Sequence, residues 1–287
     1  MTFAIAGVSG NTGRVAAESL LARGEKVRVI VRDAVKGEAW KERGAEVAVA
    51  DLGDAAALTR ALRGAEGAYL LVPPNYAVPR FRDYQDGISR ALAAAVAESG
   101  VPHVVLLSSV GAQHERGTGP IAGLHATERL LGEIRGTAIS SLRGAYFYEN
   151  FGTSLGAVKE AGVLPSFFPS GFAFPMVSTG DIGRLAAELL LERPQRSRIV
   201  ELGSSHSVEE IAAVLAKITG ISVRVQEGPL DAMVPALTGA GLTEDLAELY
   251  AEMTRAVNSG IVAFEGGHRR VESTEPIEQV FRALIGA

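Results

Sequence analysis

The chain has 287 residues, 47% of them hydrophobic and 21% charged, which fits one large domain or a domain and a half. It has no cysteine, which excludes disulfides, thiolate metal sites and a cysteine nucleophile, and its net charge of −5 argues against direct nucleic-acid binding. No apolar run approaches bilayer length and no basic segment precedes one at the N-terminus, so neither a membrane span nor a signal peptide is expected and the chain is read as cytoplasmic.

Short apolar strands and amphipathic helices alternate from the first residues. Residues 3–8 read as a strand and 12–23 as a helix stopped by Gly24. Further strands are expected at 26–32, 45–50, 67–72, 103–108 and 137–142. Between them the pattern predicts helices over 55–62, with Asp54 as N-cap, over 80–99 and over 121–134. Such alternation implies parallel pairing through right-handed crossovers, hence an α/β fold built on a doubly wound parallel sheet. Ligands of such sheets lie beyond the carboxyl ends of the strands.

After residue 150 the pattern loosens. Ser207-Val208-Glu209-Glu210 reads as a capping box opening a helix to Thr219, with a strand at 221–226, a helix at 243–258 and a last helix near Pro276. The expected organisation is a nucleotide-binding domain over 1–150 and a smaller α/β lobe over 151–287 on the substrate side. The sheet is open to completion from both parts.

The stretch Gly7-Val8-Ser9-Gly10-Asn11-Thr12-Gly13-Arg14 carries the most information. A strand turning through glycines into a helix N-terminus presents free N–H groups and the positive end of a helix dipole to a phosphate. The spacing is G-x-x-G-x-x-G, so Gly10 and Gly13 fit the last two positions of the dinucleotide fingerprint while Gly7 comes one residue early. Gly7, Ser9, Gly10, Asn11, Thr12 and Gly13 are therefore read as the pyrophosphate loop. The second strand ends in Arg32-Asp33. Arg32 there favours NADP(H) by pairing with a 2′-phosphate, and Asp33 would favour NAD(H). At later strand ends, Asp51 and Leu52 are placed at the adenine, Val72 and Pro73 along the dinucleotide, and Ser108 beside it.

With these residues in place, the chain resembles the NmrA-like branch of the atypical short-chain dehydrogenases/reductases. The resemblance rests on residues 7–14, Val29-Ile30-Val31-Arg32-Asp33, Asp51-Leu52, Val104-Val105-Leu106-Leu107-Ser108-Ser109, residues 142–150 and Val177-Ser178-Thr179-Gly180-Asp181-Ile182 with the helix after it. It implies a Rossmann-type domain, NADP(H) more often than NAD(H), and one of two roles. Some members are reductases, including quinone reductases; others bind the dinucleotide as redox sensors and act through a protein partner. Two departures stand out. Gly144 replaces a proline after the sixth strand, and the superfamily's Tyr-x-x-x-Lys pair is replaced by Ile121 and His125.

Isoleucine cannot donate a proton. His125 is then a candidate for ribose contact or proton donation. Tyr146 and Tyr148 are candidate hydroxyls. Eight of the seventeen aromatic residues fall within 146–174, which suits a flat apolar or aromatic acceptor and equally suits a core joining the two lobes. The five histidines show no metal-ligand spacing, so no metal is expected. The expected function is an NADPH-dependent reductase of a quinone or similar conjugated acceptor. The alternative is a silent NAD(P)-binding sensor. Neither a nucleic-acid nor a membrane partner is expected, and a protein partner or a homo-oligomer is left open.

Overall fold

Phe3 and Ile5 point to one side of the first strand and Ala4 and Ala6 to the other, and all four are fully buried. Only a strand covered on both faces does this, so the sheet must be sandwiched between helices. The computed structural model describes residues 1–286. Its strands in chain order are β1 (Thr2–Ala6), β2 (Lys26–Val31), β3 (Glu46–Val49), β4 (Gly67–Leu71), β5 (His103–Ser109), β6 (Ala138–Gly144) and β7 (Tyr146–Phe147). They continue with β8 (Val163–Ser166), β9 (Phe174–Val177), β10 (Arg198–Leu202), β11 (Ser204–His206), β12 (Arg224–Glu227) and β13 (Arg269–Val271). Among the described residues eight of them form one sheet in the order β13-β10-β6-β5-β4-β1-β2-β3, every neighbouring pair parallel. The order reverses between β1 and β4, which is where a doubly wound sheet opens its ligand crevice.

The helices are α1 (Asn11–Ala22), α2 (Glu38–Glu42), α3 (Ala55–Leu62), α4 (Phe81–Ser99), α5 (Ile121–Gly132), α6 (Leu155–Ala161), α7 (Thr179–Glu192), α8 (Val208–Thr219), α9 (Met233–Gly239), α10 (Glu244–Asn258) and α11 (Ile277–Ile285). On one face α3, α4 and α5 pack side by side; on the other α1 packs along α7. The first face holds Leu58, Leu62, Ile88 and Leu92, and the second holds Leu20, Leu185 and Leu189 with the apolar core of the C-terminal half. Among the described residues, no helix is long and apolar enough to cross a membrane.

The sequence expectations through β6 stand within a residue or two. Asp54 caps α3 through Ala57 N–H at 3.0 Å, and the Ser207–Glu210 capping box is formed. The strand expected at 221–226 begins at Arg224, where pairing with β8 starts. Two strands of the main sheet, β10 and β13, were not predicted. In β10 a carboxylate, Glu201, interrupts the apolar pattern. It is buried nonetheless, because Glu265 N–H donates to it at 2.8 Å. β13 is three residues long with two arginines.

At its opening end, β5 buries His103 with its Nε2 2.9 Å from Ser140 Oγ, which accepts from Arg198 Nε at 3.0 Å. Burial, helped by the Arg198 charge, holds this imidazole down at about 4. The unfolded chain, with a histidine near 6.5, therefore binds more protons in between, and stability complete above pH 6.5 is lost as pH falls toward 4. The expected cost across that window is roughly 3 kcal/mol. Urea midpoints at pH 7 and pH 4 test it: His103→Gln should flatten the drop, and an unchanged drop would remove His103 as its source.

Candidate dinucleotide and acceptor site

The turn after β1 has the shape expected of a phosphate cradle. Gly7 adopts φ +70°, and a Cβ there would lie 2.8 Å from the Leu71 side chain. A Cβ on Gly13 would lie 2.3 Å from the Ala6 carbonyl, so only glycine lets α1 begin this close to β1. Gly10 is different, since its nearest atom would be the Gly7 carbonyl at 3.4 Å. Packing within the protein therefore does not demand a glycine there. Gly10 is also the N-cap of α1 and supplies no side-chain cap, while Ser9 and Asn11 stand exposed beside it. The first-turn N–H groups thus face outward with the helix dipole behind them. Thr12 is turned inward, its Oγ accepting from the buried Tyr69 hydroxyl at 2.9 Å. Burial pushes that hydroxyl well above the ordinary tyrosine range.

At the end of β2 the two rival side chains have separate employment. Asp33 accepts from Val35 N–H at 2.9 Å and caps a short turn. Arg32 is exposed and, among the described residues, makes no hydrogen bond or ion pair. Asp51 accepts from Gly53 N–H at 2.8 Å and remains exposed, whereas Leu52 is buried in the α3–α4 core, with Val72 packed against it. Pro73 follows, half-buried. Tyr84 of α4 lies close enough to Asp51 and Arg32 to feel both charges: burial and Asp51 raise its hydroxyl pKa and Arg32 opposes them. No motif marks Tyr84 in the sequence; only the packing of α4 brings it to this end.

Ser108, at the end of β5, donates to Glu128 Oε1 at 2.5 Å. Glu128 is gripped by Arg143 of β6 through Nε at 3.0 Å and Nη2 at 2.8 Å, and Arg143 Nη1 reaches Glu265 at 2.6 Å. The Ser108 hydroxyl is thus committed to an ion-pair network beneath the crevice.

Beyond β5 lies an apolar cavity of about 50 Å³, with Ser109, Ile121, Tyr146, Phe174 and Met253 among its walls. Ile121 makes one wall and Tyr146 contributes to another. The Tyr146 ring meets Phe151, Phe168 and Phe174 edge-on at centroid distances of 5.8, 5.3 and 5.7 Å. Burial, eased by Asn150, holds its hydroxyl up at about 12. Tyr148, two residues on, is 1% exposed in the core beside His206. Of the eight aromatics in 146–174, Tyr146 and Phe174 line the cavity, and Phe151 and Phe168 fill the core behind them. Tyr250 of α10, a residue the sequence does not single out, has its hydroxyl raised by burial and by neighbouring Tyr76 and Tyr146.

His125 lies one turn after Ile121 but opens elsewhere. It lines a separate cleft of about 530 Å³ with Arg82, Arg116, Arg129 and Glu252. Its Nδ1 donates to the Ala112 carbonyl at 2.9 Å, which fixes the tautomer and leaves Nε2 as the free nitrogen. Glu149, after β6, accepts from Thr179 N–H at 2.8 Å and from the Thr179 hydroxyl, while its other oxygen is buried and unpartnered. Burial raises its pKa against those hydrogen bonds. Among the described residues no group of three His, Asp or Glu side chains could hold a metal.

A family model described as the NmrA-like family matches residues 1–279. Quinone oxidoreductase 2 of Escherichia coli (strain K12) is 30% identical over 264 residues, covering 90% of this chain and 88% of the relative. The NAD(P)H azoreductase of Xenophilus azovorans is 26% identical over 252 residues, covering 86% and 85%. Among solved structures, the NADPH-dependent quinone oxidoreductase of Escherichia coli complexed with NADPH superposes with a TM-score of 0.80 at 26% identity, over 99% of each chain. The Citrobacter sp. triphenylmethane reductase complexed with NADP(H) superposes at 0.81 and 22%, over 99% of this chain and all of the other, which is a likeness of fold.

Proposed function

The chain belongs to the NmrA-like family, and on that footing we propose that it is an NADPH-dependent reductase transferring hydride to a quinone or a similar conjugated small acceptor. The observation that carries the reading is the apolar cavity beyond β5, with Tyr146 among its walls, at the carboxyl end of the same sheet as the glycine turn. The Escherichia coli relative, a quinone oxidoreductase with similarity across nearly the whole chain, supports it.

In this reading Gly7, Ser9, Gly10, Asn11, Thr12 and Gly13 seat the pyrophosphate on α1. Arg32 pairs with the 2′-phosphate, Asp51 and Tyr84 flank the adenine, and Val72 and Pro73 border the path onward. NADPH supplies the hydride. Residues 1–150 hold it, and Phe174 and Met253 of the later, substrate-side part join Ser109, Ile121 and Tyr146 around the cavity. Ile121, Phe174 and Met253 exclude water and orient a flat acceptor. Tyr146 donates a hydrogen bond to the acceptor oxygen that gains charge, and its high pKa keeps it protonated until then. His125 and Tyr148 take no direct part, His125 because it opens onto the outer cleft and Tyr148 because it is enclosed in the core. The protein works in the cytoplasm, without nucleic acid or membrane.

NADPH oxidation with a panel of quinones tests the reading. Turnover is expected, and Tyr146→Phe should lower kcat by about 10- to 100-fold, the worth of one hydrogen bond to a developing charge, with NADPH affinity unchanged. Tight NADPH binding without turnover on any acceptor would favour a second reading, a redox sensor acting through a protein partner. The apolar Ile121 wall, where the superfamily has its proton donor, is the observation on that side.

A further inference from the structure

We propose that Met253 of α10 sets the size of the acceptor, restricting it to single-ring molecules. The inference rests on the reductase reading above. At about 50 Å³ the cavity is too small for a ring; an apolar cavity on the order of 150 Å³ is known to take benzene. One wall must therefore yield when an acceptor enters.

Most walls are fixed. Ile121 is buried and abuts Gly111, where a Cβ would already lie 3.6 Å from its Cδ1. Phe174 is 2% exposed, and its ring packs 4.6 Å from that of Phe168. Val257 and Val262 are buried and β-branched, with little rotamer freedom. Met253 is half-buried, unbranched and has three rotatable bonds.

The backbone under Met253 cannot retreat. Asp245 at the start of α10 accepts from Phe81 N–H at 2.8 Å, tying the helix to α4. At Gly119, whose φ is +57°, an added Cβ would lie 2.0 Å from the Leu249 carbonyl and 3.1 Å from Met253 Cβ. The 111–119 loop is thus pressed directly against α10. Tyr146 is held edge-on by three aromatic rings, so rotation of the Met253 side chain is the motion we assign, and one thioether side chain moved aside makes room on the scale of a single ring.

The test measures kcat/KM for 1,4-benzoquinone and 1,4-naphthoquinone in the wild type, Met253→Ala, Met253→Leu and Met253→Phe, with NADPH affinity as the readout of folding. The wild type should prefer the single ring by about tenfold or more, the scale on which a hydrophobic pocket discriminates size. Met253→Ala should erase or reverse that preference, Met253→Leu should keep it, and Met253→Phe should lose both acceptors while binding NADPH normally. Turnover with a ratio unmoved by Met253→Ala, or a wild type that prefers the fused rings, overturns the size assignment alone. A wild type that binds NADPH and reduces neither quinone overturns the reductase reading as well.

Discussion

Arg143→Met is expected to destabilise the protein by about 3–5 kcal/mol, the usual cost of removing one partner from a buried ion pair. Arg143 is 3% exposed in β6, third from one edge of the sheet. Its guanidinium holds Glu128 through two hydrogen bonds and Glu265 through a third. Without it the Glu128 carboxylate, itself mostly buried, keeps only the Ser108 hydroxyl. Glu265 suffers less, being more exposed and also within reach of His268. A denaturation midpoint shifted at constant m-value would register the loss. Adding Glu128→Gln should recover part of it, since the stranded charge is then gone. A loss below about 1 kcal/mol would mean that water takes over from Arg143 as it does in a surface pair.

Arg32→Ala should weaken NADPH binding by about 10- to 100-fold and leave NADH within about twofold, because only NADPH carries the 2′-phosphate. The range allows for solvent screening at an exposed guanidinium, and the difference should shrink as salt is raised. The structure makes the contrast sharp. Arg32 has no protein partner among the described residues, while the neighbouring Asp33 carboxylate is turned to Val35 N–H. Titrations of both cofactors at low and high salt would measure it. Equal losses for the two would take Arg32 off the 2′-phosphate.

The glycine turn after β1 and the helix starts were legible because each announces itself locally. A strand, three glycines and a helix need only a dozen consecutive residues, and Asp54 or Ser207-x-x-Glu210 mark helix starts by short-range hydrogen bonds. The apolar cavity beyond β5 was not legible in the same way. Its walls come from β5, α5, the segment after β6, β9 and α10, and no local pattern links Tyr146 to Met253 or Tyr250. The buried charges misled for a related reason. Glu201 breaks the apolar run of β10, and its compensation lies more than sixty residues on, at Glu265 N–H. The pairing of Ile121 with His125 illustrates the limit of spacing. One helical turn puts two side chains near each other, yet a small rotation about the axis sends one into the inner cavity and the other to the outer cleft.

Gly183 of α7 lies against the first turn of α1, where an added Cβ would sit 2.5 Å from Val15 Cβ and 2.6 Å from the Thr12 carbonyl. This close approach joins points about 170 residues apart. During synthesis the glycine loop is made about 170 residues before the helix that backs it. Loop-closure entropy is spent before such a distant contact returns anything, which slows its formation. The glycine turn therefore acquires its finished support late, from a helix about 170 residues on.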